Sequence, residues 1–287
     1  MIRCSPYEHI QIRLQHINSH RFRMSKLAVL ILFLTAYTTA LAAKSLVGKG
    51  LHHVGSFRIL GGDVAPDGAY PFMVSLRRYP NKHFCGGSIV NNLWVLTSAH
   101  CIAGESIGSV FAVVGTNLLS FGGYAAEVRK IIMHPNFNDT GDELDDIALL
   151  QLDSPLSYSA TIAPVTLDTS TSQSIINVTL IGWGTTRNKG SMSNFLRELS
   201  TQTISQATCS LYWSAGLNAD HICTKFRNGK GFCSGDSGGP LINTNSKKQV
   251  GVAAFNFDDG CGMMLPDVFS RISSYMSWIQ STTNPQG

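Results

Sequence analysis

Gly235-Asp236-Ser237-Gly238-Gly239-Pro240 sets one serine hydroxyl among three glycines. A serine hydroxyl is a weak nucleophile at neutral pH, so chemistry there needs a neighbouring base, and the base needs a group to orient it. Backbone N–H groups must also face the oxyanion that develops on an attacked carbonyl. The segment supplies two of these parts. Ser237 is the candidate nucleophile, and the N–H groups of Gly235 and Ser237 are candidate oxyanion donors, because glycine lets backbone approach a ligand closely. Further out, Thr97-Ser98-Ala99-His100-Cys101 places a histidine beside a cysteine expected in a disulfide, which would fix its loop. Asp146-Ile147-Ala148-Leu149-Leu150 places a carboxylate at the start of an apolar strand, desolvated yet able to hold an imidazole N–H.

Between these segments the chain is a succession of short apolar runs broken by Gly, Asn, Asp and Pro. Met73–Leu76, Ser88–Val90, Trp94–Thr97, Val110–Val114, Val128–Met133, Ile147–Leu152, Val178–Ile181 and Gln249–Ala254 are examples. Several are rich in β-branched residues and too short for stable helices, so they read as strands. Strands at this spacing, with turn signals between them, indicate a barrel or a sandwich. Ile272, Tyr275, Met276 and Ile279 recur at three- and four-residue spacing, which predicts a terminal helix with one packed face. With 44% apolar and 14% charged residues over 287 positions, the composition suits one large or two small globular domains.

The formal charge of +4 is unevenly spread. Residues 1–58 hold eight Lys/Arg and one acid, and the remainder holds fourteen Lys/Arg against seventeen Asp/Glu, a net of 14 − 17 = −3. No clustered basic face is visible, which excludes a nucleic-acid partner. Lys26, the apolar run Leu27 to Ala36 and Ala40-Leu41-Ala42 follow the order of a secretory signal. The run is shorter than the roughly 20 residues that span a bilayer, so a membrane anchor is the weaker reading. The chain divides into an upstream extension (1–23), a signal peptide (24–42), a basic cysteine-free segment (43–58) and a main domain (59–287). Cys85, Cys101, Cys209, Cys223, Cys233 and Cys261 follow the signal. Six cysteines in a secreted chain imply three disulfides, with fifteen pairings open. Asn138-Asp139-Thr140 and Asn177-Val178-Thr179 are glycosylation sequons expected on surface loops.

The order His100, Asp146, Ser237, the motifs around them and Ile59-Leu60-Gly61-Gly62 after Arg58 resemble the chymotrypsin-like serine peptidases. That order separates them from subtilisin and α/β-hydrolase arrangements. The resemblance covers Ile59–Ile279. It implies an all-β fold of two six-stranded antiparallel barrels with a C-terminal α-helix, the first barrel over about 59–165 and the second over about 166–287. It implies Ser237 as nucleophile, His100 as general base and then acid, and Asp146 as the group orienting His100. It implies the disulfides Cys85–Cys101, Cys209–Cys223 and Cys233–Cys261. It also implies cleavage after Arg58 by a trypsin-like protease, which frees an Ile59 ammonium to pair with Asp236. Thr166 stands where some relatives tether the propeptide through a cysteine, so residues 43–58 should leave.

In the same resemblance the substrate pocket is lined by Gly231, Ser234, Ala254, Phe255, Asn256 and Asp267. Trypsin-like enzymes carry an Asp at the position of Gly231, so its absence leaves the floor uncharged and roomy. Asp267 points in from the back wall, and the Gly231 and Asp267 pair is similar to the broad-specificity crab collagenases, the brachyurins. Asn256 replaces a glycine at the entrance, and Ala254 replaces a serine that bonds the aspartate of the triad. The expected activity is peptide hydrolysis after Leu, Phe, Tyr or Met, or broader, in a secreted digestive enzyme. Expected partners are protein or peptide substrates, the activating protease and protein protease inhibitors, with no membrane and a monomeric state. No cofactor or metal is expected: the Gly115–Tyr124 loop holds no acid for calcium, and zinc-type cysteine spacing is absent. His83, His134 and His221 read as structural or surface residues. The rival reading is a catalytically weak or inactive homologue acting as an extracellular binding or regulatory protein.

Overall fold

Six antiparallel strands close on themselves in each half of the computed structural model, which describes residues 62–138, 144–187, 190–213, 217–225, 230–255 and 265–284. The first barrel comprises β2 (Met73–Arg78), β3 (Lys82–Asn91), β4 (Trp94–Thr97), β5 (Val110–Val114), β6 (Tyr124–Met133) and β7 (Ala148–Leu152), in the order β2-β3-β4-β7-β6-β5. Pairing of β2 with β5, Val74 opposite Val114, completes the ring.

The second barrel comprises β8 (Asn177–Gly182), β9 (Arg197–Ile204), β10 (His221–Thr224), β11 (Pro240–Asn243), β12 (Gln249–Phe255) and β13 (Val268–Arg271). It closes where β8 runs beside β9 from Asn177 opposite Gln202 to Gly182 opposite Arg197. A two-residue strand, β1 (Asp63–Val64), adds to the outer side of β9. A short helix, α1 (Gln206–Cys209), follows β9 and is capped by the Ser205 hydroxyl; nothing in the apolar pattern marks it. The terminal helix, α2 (Ile272–Thr283), lies where the apolar stripe predicts, with Ile272, Tyr275 and Ile279 buried.

The expected fold is the observed one. Each barrel has its own core, the first built on residues such as Val74, Leu76, Ile89, Val95 and Leu150, the second on Val178, Leu180, Ile222, Leu241 and Phe269. A third cluster joins them: Trp94, Leu96, Ile147 and Leu149 pack with Val252 and with Ile272, Tyr275 and Ile279 of α2. Each fully buried aliphatic contributes about 1.5–3 kcal/mol, so this cluster holds the two barrels and the helix as one body. Asn177 opens β8 as an exposed strand residue where a loop is expected, because its side chain points outward. Arg58, Ile59, Asn256 and Cys261 lie outside the described residues, as do residues 1–58 as a whole and Asp139 and Thr140 of the first sequon.

Candidate active site

β4 and β7 are antiparallel neighbours, with Thr97 opposite Ala148. His100 follows the end of β4 and Asp146 precedes the start of β7, so residues distant in sequence emerge at one end of a strand pair. The Asp146 carboxylate is fully buried. Its Oδ1 accepts the His100 backbone N–H at 2.8 Å and its Oδ2 lies 2.7 Å from His100 Nδ1. The neutral ring therefore carries its proton on Nδ1, which leaves Nε2 as the basic nitrogen. The Asp146 carbonyl accepts from Ser270 Oγ of β13 at 2.8 Å, a bond from the other barrel.

A disulfide between Cys85 of β3 and Cys101 fixes the His100 loop. Next to Cys85, Gly86 donates its N–H to the Ser237 carbonyl at 2.7 Å. On the other side, Gly238 N–H donates to the Ala253 carbonyl of β12 at 2.8 Å. Ser237 is thus carried on a turn fastened to both barrels, and it is half-buried. The His100 side chain keeps 30% of its surface exposed, so the site is open to a substrate. Cys85, His100 and Cys101 come within ligand reach of one another, but both sulfurs are spent in the disulfide and offer no thiolate.

Asp236 is buried behind Ser237. Its Oδ1 accepts from Gly184 N–H at 2.6 Å and its Oδ2 from Cys233 N–H at 3.0 Å. The carboxylate lies against Gly182 and Gly184 so closely that a Cβ on either would collide with it. Burial pushes its pKa up to about 6 despite these two bonds. Gly235, between Asp236 and the exposed Ser234, has φ +96°, a conformation that favours glycine.

Phe255 at the end of β12 stands opposite Val268 at the start of β13, and Asp267, just before β13, reaches the Gly231–Ser234 segment. Asp267 is buried, and its Oδ2 accepts from Phe232 N–H at 3.1 Å. A Cβ placed on Gly231 would meet that oxygen at 2.7 Å. The room expected at Gly231 is therefore filled by the Asp267 carboxyl. Burial, and secondarily the Asp236 charge, pushes the pKa of Asp267 up to about 7. Trp213 donates its indole N–H to the Pro266 carbonyl and packs edge-on against Phe255.

Cys209–Cys223 is formed as expected, and Cys233 is disulfide-bonded with its expected partner outside the described residues. Trp183 is buried and donates to the Asn117 carbonyl, so it packs. His134 packs edge-on against Tyr275 and Trp278 of α2, and His221 bonds Asn218. His83 does more than its sequence neighbourhood suggests. Its Nε2 lies 2.9 Å from the Gly235 carbonyl, 152 positions away. No local pattern carries that signal, because the bond exists only once both barrels have formed.

The family model for trypsin matches residues 59–279. Chymotrypsin-2 of Vespa crabro is 37% identical over 224 residues, 77% of this chain and 98% of that protein. Serine protease SP24D of Anopheles gambiae is 37% identical over 78% of this chain and 81% of its own length. Trypsin 5G1 of Aedes aegypti is 33% identical over 89% and 98% respectively. The matched span takes in both barrels, the paired His100 and Asp146, the Ser237 turn and α2 down to Ile279, and the chain belongs to the trypsin family of serine endopeptidases.

Proposed function

We propose that Ser237, His100 and Asp146 carry out peptide-bond hydrolysis through an acyl-enzyme. Ser237 Oγ attacks the scissile carbonyl as His100 Nε2 takes its proton, and the oxyanion is met by the N–H groups of Gly235 and Ser237. His100 returns the proton to the leaving amine, and water repeats the sequence on the ester. Asp146 holds the ring through Nδ1–H and stabilises the imidazolium. The observation carrying this reading is the double grip of Asp146 on His100, through backbone N–H and ring, beside a Ser237 turn bonded to both barrels.

The protein is read as secreted through the signal at 24–42 and as a precursor switched on by cleavage after Arg58. The buried Asp236, raised by desolvation, would be the group that the new Ile59 ammonium satisfies. Relatives named chymotrypsin and trypsin resemble the chain comparably, so the pocket must decide preference. Asp267 against Gly231 supports cleavage after Leu, Phe, Tyr or Met with broader tolerance, in a digestive role. After trypsin treatment a fluorophosphonate should label Ser237 and leave Ser237→Ala untouched. Absence of label on the cleaved wild type would sink this reading in favour of a non-catalytic binding protein.

A further inference from the structure

Among the described residues, Arg77 of β2 is a cation without a counter-charge. It is 3% exposed, and among the described residues no carboxylate pairs with it and its Nη2 has no hydrogen-bond partner. Taking a guanidinium out of water is costly, and an apolar chain of similar length would occupy the space without that cost. What such a chain lacks is donors. Arg77 uses three bonds to reach separate segments: Nε to Ser75 Oγ at 2.9 Å, and Nη1 to Asn81 Oδ1 at 2.9 Å and to the Leu119 carbonyl at 3.0 Å.

The first of these bonds continues. Ser75 Oγ lies 2.8 Å from His83 Nδ1, and His83 Nε2 lies 2.9 Å from the Gly235 carbonyl. The direction of the chain is fixed from both ends. A carbonyl only accepts, so Nε2 carries the ring proton. Burial, against the Gly235 hydrogen bond and with a smaller push from the Arg77 charge, holds the His83 pKa down to about 4, so the ring is neutral and Nδ1 is bare. The Ser75 hydroxyl must donate to Nδ1, and turned that way it presents lone pairs to Arg77 Nε–H. The ring is steadied edge-on by Trp183 at 5.7 Å between centroids.

We propose that Arg77 is a positioning residue for the oxyanion turn, acting through Ser75 and His83 on the Gly235 carbonyl. This rests on the assignment of Gly235 N–H as an oxyanion donor. Without His83 the Gly235–Asp236 peptide keeps only the bond from Asp236 N–H to the Cys233 carbonyl at 2.8 Å, so the Gly235 backbone is held less tightly and its N–H is aimed less well. Arg77 thus links the far end of the first barrel to charge stabilisation on the Ser237 turn.

The test compares activated wild type with Arg77→Met. Two ligands fill the same subsites: a peptidyl trifluoromethyl ketone, whose hemiketal oxygen enters the oxyanion site, and the matching peptidyl alcohol, which has no electrophilic carbonyl for the serine to attack. In Arg77→Met, kcat should fall about tenfold, short of the hundredfold or more lost when a donor is removed outright, with KM within about twofold. Affinity for the ketone should fall by the same factor and affinity for the alcohol should not change. Ser75→Ala, which leaves the Arg77 bonds to Asn81 and Leu119 intact, should give the same pattern even if Arg77→Met folds poorly. Equal losses for ketone and alcohol, or full kcat in Ser75→Ala, overturn the proposal. In wild type, a ketone bound no more tightly than the alcohol removes the oxyanion assignment itself, and the proposal with it.

Discussion

Asp267 reaches across the space that Gly231 leaves open and takes the Phe232 N–H. With its pKa raised to about 7, the carboxyl is mostly neutral at pH 6 and mostly anionic at pH 8. A neutral carboxyl suits an apolar substrate side chain, whereas the anion attracts an ammonium or guanidinium. The anionic fraction rises about tenfold across that window. The ratio of kcat/KM for cleavage after Arg to that after Leu should rise by a similar factor, and Asp267→Asn should flatten it. A pH-independent ratio in wild type would show that the carboxyl does not meet the substrate. The sequence places Asp267 on the back wall, but it does not reveal that this side chain fills the floor. Burial and contact depend on how β12 and β13 pair, which residue identity alone does not encode. The same holds for His83, whose partners Ser75 and Gly235 belong to different barrels.

Strand pairs and covalent links decide how His100, Asp146 and the Ser237 turn are held. Cys85–Cys101 and Cys209–Cys223 close loops of nearly the same size, with sequence separations of 16 and 14. By loop entropy each contributes about 3 kcal/mol. Only the first borders His100 and Gly86, the contact that fastens Ser237. The double variant Cys85→Ala/Cys101→Ala and its counterpart Cys209→Ala/Cys223→Ala should therefore lose similar stability in denaturant titrations but differ in kcat, the first falling tenfold or more. Similar kcat in both would mean that β4–β7 pairing alone places His100. Legibility also varied by element. Val110–Val114 is buried along its whole length and its apolar run gives its limits. Strand β9 alternates cleanly, yet its buried positions are Arg197, Leu199, Thr201 and Thr203, so hydropathy does not single it out. Polar side chains face inward there because partners await them: Arg197 bonds Ser193 Oγ and the Gly62 carbonyl.

For the whole molecule, buried acids couple folding to pH. Asp236 rises from an ordinary 3.8 to about 6 on folding. A raised carboxyl favours the neutral form, so its stabilising share is present below about pH 4 and is lost as pH climbs through about 6. The loss is about 3 kcal/mol, and Asp267 adds in the same direction up to about 7. An ammonium delivered to Asp236 would reverse its part. Uncleaved Arg58→Gln should therefore show a denaturation midpoint that falls from pH 5 to pH 7.5. Trypsin-cleaved Ser237→Ala, which lacks the proposed nucleophile, should fall much less. Parallel curves would argue against pairing of Ile59 with Asp236. At this scale the motifs made the barrels and the pairing of His100 with Asp146 readable in advance, because these residues sit in short contiguous segments.

Both rings of strands are complete, and among the described residues the one outlying strand, β1, is only two residues long. A sheet whose last member bonds to its first presents no row of idle amides and carbonyls onto which a neighbouring copy could zip. Crowded solutions of the folded protein should thus resist fibrillar growth by strand addition.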